Sequence, residues 1–315
     1  MSAPPKVSVC IPTYNYAKYL PVAVESVLSQ NFTDFEVIVR DDCSTDNTVE
    51  VVKKYLSDER VIFGVNERNL GLAGNWNRCL SLAKGKYIKY VFADDLLASR
   101  DALGEMASVL DSDPGISLVA SSKNIIDEES RVLRVESCFP RGLVAEGGDV
   151  IGKCLFEQRN AIGEPTLVMF RREQAARGFS EKYAHLLDME MWFHLLEQGK
   201  FAFLDRPLCS FRVHPAQKTA DNVRKRSYLD DHYLLLREYL DRPYIQYGRL
   251  MKNYWLLDSL YQFWRLHKKG LVERDEATRR IRNHYPSFFL VYPVFKAIKP
   301  IIKIYVSYQK RKLNA

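Results

Sequence analysis

Tyr87-Ile88-Lys89-Tyr90-Val91-Phe92-Ala93-Asp94-Asp95 is the stretch on which the reading of this 315-residue chain turns. Its aromatic and β-branched run reads as a strand buried in a sheet. The two carboxylates at the strand's C-terminal tip do not serve packing, because adjacent like charges repel and buried anions need partners. A cation is expected between them, most simply a hard divalent metal together with a phosphate-bearing ligand. The competing reading makes Asp94 and Asp95 solvated loop acids capping a helix that begins near Ser99.

Outward from this stretch, strand and helix signals alternate. Residues 7–11 read as a strand, followed by Pro12-Thr13-Tyr14-Asn15 and a helix from about 17 to 30. Residues 35–39 give the next strand, which runs into Asp41-Asp42-Cys43-Ser44. Ser44 or Thr45 is expected to cap a helix through Val49, Val52 and Tyr55. A third strand at 61–63 and a short helix at 75–83 precede the stretch quoted above. Repeated βα units build a parallel sheet with helices on both faces, and such sheets bind ligands outside the carboxyl ends of their strands. The loops at 12–15, 41–44 and 93–95 are therefore expected to converge on one site.

Farther on, 116–121, 167–170, 201–204 and 208–213 read as strands and 186–198 as a helix. From 221 onward only helices are read, with breaks at Arg242-Pro243 and Lys269-Gly270. The expected division is 1–216 and 217–315.

A composition of 47% hydrophobic and 27% charged residues is that of a soluble globular protein. Six cysteines without a CxxC pair read as thiols of a reducing compartment, and the start of the chain shows no basic-then-apolar leader. The expected location is the cytoplasm. The net charge of +7 is uneven: after Glu276 there is no acid, but there are nine basic residues. Taking those nine from 46 leaves 37 basic against 39 acidic residues ahead of them, which argues against nucleic acid as a partner.

Six segments together resemble the family 2 glycosyltransferases, whose fold is called GT-A. They are Val9-Cys-Ile-Pro-Thr-Tyr-Asn15, Val39-Arg-Asp-Asp-Cys-Ser-Thr45, Asn69-Leu-Gly-Leu-Ala-Gly-Asn75, Ala93-Asp-Asp95, Leu187-Asp-Met-Glu-Met-Trp192 and Phe211-Arg-Val-His-Pro215. The resemblance runs from Val7 to about Thr219. It implies an α/β protein with a doubly wound, mostly parallel sheet flanked by helices, followed here by a C-terminal α-helical extension. It also implies transfer of a sugar, with inversion, from a nucleoside-diphosphate sugar to an acceptor hydroxyl. UDP is the favoured donor nucleotide, with dTDP and GDP open. The acceptor is expected to be a saccharide or lipid-linked saccharide of bacterial surface polysaccharide.

The resemblance assigns roles residue by residue. Pro12, Thr13 and Tyr14 would line the nucleobase, Asp42 would accept a hydrogen bond from it, and Asn69 joins the nucleotide-binding group. A carboxylate suits a uracil or thymine N–H because it only accepts. Its competing reading is a cap for the helix after Thr45. Asp95 would bind Mn²⁺ or Mg²⁺ bridging the diphosphate, and Asp94 the ribose or the metal's surroundings. Arg212 and His214 would close over the diphosphate, His214 with a chance of touching the metal. Asp188 would be the general base, with Glu190 as fallback; relatives commonly carry Glu-Asp where this chain has Leu187-Asp188. Trp76, Trp192 and Tyr90 read as core. Zinc is not expected.

If 294–306 is helical, Val294, Phe295, Ile298, Ile301, Ile302, Tyr305 and Val306 share a face, with Lys296, Lys299 and Lys303 on its flank. Residues 294–312 then fit an anionic membrane surface, at the inner face of the plasma membrane. The alternative is a helix docked on the catalytic domain or on a second subunit, which leaves a homo-oligomer open. Pro300 is expected to kink the helix. Two rival functions stand beside the transferase: a sugar-phosphate nucleotidyltransferase and a non-catalytic nucleotide-sugar-binding protein.

Overall fold

The computed structural model describes residues 3–215, 217 and 227–313, with side chains in the last stretch from Tyr228 to Val306. Its contacts divide into two units, Met1–Asp221 and Asn222–Ala315. The expected boundary at 216 falls outside the described residues.

The first unit is built on ten strands: β1 (Val7–Thr13), β2 (Phe35–Asp41), β3 (Val61–Val65), β4 (Tyr87–Tyr90), β5 (Leu96–Leu97), β6 (Ile116–Ile126), β7 (Val132–Glu136), β8 (Val144–Glu146), β9 (Val168–Arg171) and β10 (Lys200–Arg212). They form one sheet in the order β3-β2-β1-β4-β9-β6-β10-β5, with β7 on β6 and β8 on β10. The pairs β1–β2, β1–β4, β2–β3 and β6–β10 are parallel, while β9 runs antiparallel to both β4 and β6. Six strands (β1, β2, β3, β4, β6 and β10) therefore point the same way, and their C-terminal ends lie along one edge. The expected GT-A sheet is present. All seven residues of β1 are buried, as suits a central strand covered on both faces.

Six helices accompany the sheet: α1 (Leu20–Leu28), α2 (Thr48–Lys53), α3 (Gly71–Leu82), α4 (Ala102–Ser112), α5 (Gly147–Glu157) and α6 (Leu187–Leu196). Trp76 of α3 and Trp192 of α6 are buried in an aromatic cluster, with Phe179 centred 5.1 Å from Trp76 and 5.5 Å from Tyr90. Aromatic burial of this kind ties α3 and α6 to β4 and β9 through Tyr90 and Phe170.

Several expectations need correction. The strands expected at 201–204 and 208–213 are one strand, β10, whose register on β6 shifts around Pro207. Proline cannot donate to the ladder, so the pairing slips there without ending. The run from Tyr87 stops being a strand at Tyr90, so Asp94 and Asp95 sit on a loop beyond the tip. Neither Ser44 nor Thr45 caps α2. The helix starts at Thr48, whose N–H donates to Asp46 Oδ1 at 3.1 Å.

The second unit holds α7 (Ser227–Tyr239), α8 (Arg249–Lys268), α9 (Arg274–His284) and α10 (Phe288–Leu313). Leu229, Tyr233, Leu260, Phe263, Ile281 and Phe288 form its core. The breaks at Arg242-Pro243 and Lys269-Gly270 fall between helices, as read. α10 continues through Pro293 and Pro300 as one helix. The residues expected to share a face of this helix divide between its buried and exposed sides.

Candidate active site

The loops after β1 and β2 are stitched together. Asn15 adopts φ 59°, and its Oδ1 accepts the Thr45 N–H at 2.8 Å, while its own N–H donates to Ser44 Oγ at 2.8 Å. Pro12 and Thr13 are buried at the base of this junction, and Tyr14 projects with 45% of its surface exposed. The Thr13 hydroxyl is buried without a hydrogen-bond partner in the protein. Leaving a buried hydroxyl unpaired costs about 1–3 kcal/mol, so this position is suited to a ligand that pairs it.

Asp42 is held by several donors of the protein itself. Its Oδ1 accepts from Asn66 Nδ2 and from the Leu70 N–H, both at 2.8 Å, and its Oδ2 accepts from the Gly71 N–H at 3.0 Å. It therefore caps α3 rather than the helix after Thr45. Gly71 at φ +74° gives the left-handed turn that aims its N–H back at this carboxylate. With about four lone-pair sites on a carboxylate, one on Oδ2 stays open to a ligand N–H. Asn69 belongs to the same junction, donating to the Asp42 carbonyl at 3.0 Å. The neighbouring Asp41 is fully buried and holds the Ser44 N–H and hydroxyl.

Asp95 is 1% exposed. Its Oδ2 accepts the Thr166 hydroxyl at 2.6 Å, and its Oδ1 accepts the Arg212 backbone N–H at 3.0 Å. Burial, then the adjacent Asp94 and the more distant Glu164, push its carboxyl well above the usual carboxylate range. Asp94 faces His214, whose Nε2 lies 3.1 Å from Asp94 Oδ2. The His214 ring is boxed by Tyr16 and Tyr19, with ring centres at 5.8 and 5.0 Å. Burial, with Asp94 and Asp95, also pushes the Tyr16 hydroxyl up. Beneath the pair, fully buried Lys89 donates to the Thr166 carbonyl and sits 3.4 Å from Cys209 Sγ.

Arg212 is corrected most. Its guanidinium is buried and committed: Nε donates to the Asp94 carbonyl at 2.7 Å, Nη1 to the Asp127 and Glu128 carbonyls at 2.7 and 3.0 Å, and Nη2 to Ser130 Oγ at 2.9 Å. Its charge also lies over the Tyr19 ring, 4.8 Å from the centroid. The residue expected on the diphosphate instead clamps the Asp94 loop to the turn after β6.

Asp188 enters from the first turn of α6. Its Oδ1 accepts the Met189 N–H at 2.7 Å, and its Oδ2 accepts Asn160 Nδ2 at 3.2 Å. Burial pushes its carboxyl up to about 7, with Glu164 adding to the rise and the two hydrogen bonds opposing it. Glu190, the fallback, is buried and paired with Arg177 at 2.7 Å, which turns it away from this role.

Sequence reading missed the segment that joins these parts. In Gly163-Glu164-Pro165-Thr166, the Gly163 carbonyl accepts Trp192 Nε1 at 2.9 Å, Glu164 pairs with Lys123 at 2.7 Å, and Thr166 holds Asp95. Glu164 acts electrostatically on both Asp95 and Asp188. The one sequence signal for it was a Glu and a Thr set among buried apolar residues around a proline.

The fit to a metal follows from the donor set. Among the described residues no group of three or more His, Cys, Asp or Glu is placed to hold an ion. Two neighbouring acids, one buried and still carrying free lone pairs, suit a hard ion whose remaining ligands are phosphate and water oxygens. They do not suit structural zinc.

Acids gathered at the C-terminal edge of a mostly parallel sheet are the arrangement expected of the GT-A fold. The chain belongs to glycosyl transferase family 2, whose model matches residues 8–178. It is 32% identical to an uncharacterised protein of Mycobacterium tuberculosis over 74% of this chain and 75% of that one. It also matches Escherichia coli chondroitin synthase and Pasteurella multocida hyaluronan synthase, of whose lengths the matches span 33% and 24%. Among solved structures, Staphylococcus aureus TarS 1–349 in complex with UDP-GlcNAc aligns with a TM-score of 0.64 at 21% identity, covering 90% of this chain and 80% of that one. The mannosyltransferase PcManGT of Pyrobaculum calidifontis, in complex with GDP-Man and Mn²⁺, aligns with a TM-score of 0.57 at 20% identity, covering 95% and 88%. These two likenesses are likenesses of fold.

Proposed function

We propose that the protein moves a sugar from a nucleoside-diphosphate sugar, UDP being favoured, to the hydroxyl of a saccharide or lipid-linked saccharide, with inversion at the anomeric carbon. The observation that carries this reading is Asp188, a carboxyl in the first turn of α6 that feels the charge of Glu164, two residues before the Thr166 that holds the metal-suited Asp95. Membership of the family supports the reaction class, and the UDP-GlcNAc bound by TarS and the GDP-Man bound by PcManGT support the donor class. The domain that does the chemistry is the one expected at 1–216, and the helical region after it is an appendage.

In this reading Thr13, Tyr14, Asp42 and Asn69 receive the nucleoside, the Thr13 hydroxyl gaining the partner that it lacks in the protein. Asp95, with Asp94 and His214, would hold Mn²⁺ or Mg²⁺. A bound ion there would neutralise charge building on the departing diphosphate. Arg212 keeps the Asp94 loop in place, and Thr166 and the Arg212 N–H orient Asp95. Asp188, once ionised, takes the proton of the acceptor hydroxyl as its oxygen attacks the anomeric carbon and the bond to the diphosphate breaks. The base stands on α6 while the nucleoside-binding loops follow β1 and β2, so the two come from different segments of the chain. A nucleotidyltransferase would need a Gly-rich, Arg- or Lys-bearing loop after β1, and Pro12-Thr13-Tyr14-Asn15 is not one.

Thermal-shift binding of UDP-, dTDP- and GDP-sugars, each with Mn²⁺ and with chelator, tests the donor. A ligand at about 100 times its Kd adds about 2.7 kcal/mol to stability, which raises the melting temperature measurably. A metal-dependent shift with one nucleoside is expected. No shift with any of them contradicts the reading.

A general base must be ionised, so transfer is expected to rise with pH through about 7. Glu164→Gln removes one of the charges that raise Asp188. This favours the carboxylate, so the midpoint of the pH–rate profile is expected at lower pH than in the unaltered enzyme. An unmoved or raised midpoint removes Glu164 from this role.

A further inference from the structure

We propose that α10 seats the protein on an anionic bilayer leaflet through a stripe of side chains that the fold leaves uncovered. This deepens the reading of a lipid-linked acceptor, and the binding itself does not depend on that reading.

The helix has two apolar sides. Phe295, Ile302 and Val306 are buried at 2%, 7% and 7% exposure, and the Phe295 ring meets Tyr254 and Tyr261 of α8 at tilted and edge-on angles. Leu290, Val294, Ile301 and Ile304 stand out at 83%, 63%, 71% and 71%, joined by Tyr305 at 47% and Ile298 at 38%. At 100° per residue these six fall on one side of the helix, away from the buried three. Their spacing keeps them in line for several turns. The exposed apolar surface is on the order of 600 Å², the upper end for a single patch on a monomer, and patches of that size mark contact sites.

The charge of the unit selects the occupant. Residues 222–315 hold 20 Lys and Arg against 8 Asp and Glu, a net +12, whereas residues 1–221 hold 26 against 31, a net −5. Not all of that charge is free. Lys299 is tied to Asp258, and Arg280 to Asp230 and Glu276. Lys296 and Lys303 are exposed, though on the side of α10 away from the stripe. A second copy seated on the stripe would bring two strongly positive units together, which opposes pairing. An anionic surface is attracted by the same charge, at about 1 kcal/mol per basic residue near it. An apolar stripe on a basic unit fits an interfacial helix. Among the described residues no helix is long and apolar enough to cross a membrane, so the contact would be a surface one.

Flotation of the full chain with vesicles of phosphatidylcholine, alone and mixed with phosphatidylglycerol, tests this. Binding is expected to the anionic vesicles, to weaken with salt, and to fall about tenfold or more in Ile301→Ser/Ile304→Ser. Because both side chains are exposed, the variant should keep the melting temperature and its donor-induced shift, so loss of vesicle binding and failure of the transferase reading are told apart. Equal binding by the variant overturns the proposal. So does a dimer in sedimentation equilibrium that the double substitution makes monomeric, with no vesicle binding by either form.

Discussion

Asp188→Asn is expected to lower transfer by about 10³-fold while making the folded protein more stable at neutral pH. The two effects have one cause. Burial and Glu164 hold the Asp188 carboxyl at about 7, so its ionised form is disfavoured by the fold. An unfolded aspartate ionises near pH 4, and between about pH 4 and 7 the unfolded chain gives up a proton that the folded one keeps. Stability of the unaltered protein is therefore lost as pH rises through that window. Asparagine has no proton to give up, so the variant's advantage should be absent below about pH 4 and complete above about pH 7. Discounted for the partial solvent contact of Asp188, it is on the order of 2 kcal/mol. Asn can still accept the Met189 N–H, and donor affinity should change little. Calorimetric melts at pH 5 and pH 8, beside initial rates, read both halves. A variant that is inactive and less stable at pH 8 would mean that Asp188 is a structural cap at the start of α6, not a strained base.

Arg212→Met is expected to cost about 3–5 kcal/mol of stability and to abolish transfer. The substitution leaves the Asp94, Asp127 and Glu128 carbonyls and the Ser130 hydroxyl without the donor that joins them. Arg212→Lys should recover only part of the loss, because an ammonium cannot span the planar fork's acceptors. At about 2–4 °C per kcal/mol for a unit of this size, the Met variant should melt about 10 °C lower. If Arg212 instead served the diphosphate, the variant would keep its melting temperature and lose donor affinity alone. Differential scanning calorimetry with donor titration separates the two.

Arg212 also shows where the sequence ceases to inform. Alternation with apolar neighbours put Arg212 and His214 at the end of a strand, and both do meet Asp94. Periodicity gives the side of an element a residue occupies, not the partner that covers it. The carbonyls that occupy Arg212 come from 127 and 128, in a turn that no local pattern connects to β10. For the same reason Glu164, Lys123 and Thr166 went unread. Their roles exist only once β9 is inserted antiparallel between β4 and β6, which places Thr166 against Asp95. The strands β1 to β4 were legible because each is an apolar run ending in polar loop residues, and the loops at 12–15, 41–44 and 93–95 do lie along one edge. Asp42 was legible as a site acid but not as the cap of α3, since the N–H groups that it accepts lie 28 and 29 residues away. The tail misled in a simpler way. A helix apolar over more than half its circumference has two sides to cover, and the sequence merged them into one.

The most direct test of the central claim follows the sugar itself. Proton NMR of the favoured donor, incubated with the enzyme and Mn²⁺ without acceptor, reads the anomer first released to water. A single displacement with Asp188 as base predicts the anomer opposite to the donor's at early times, released at a rate that collapses in Asp188→Asn. First release of the donor's own anomer, or an unchanged rate in the variant, would contradict it.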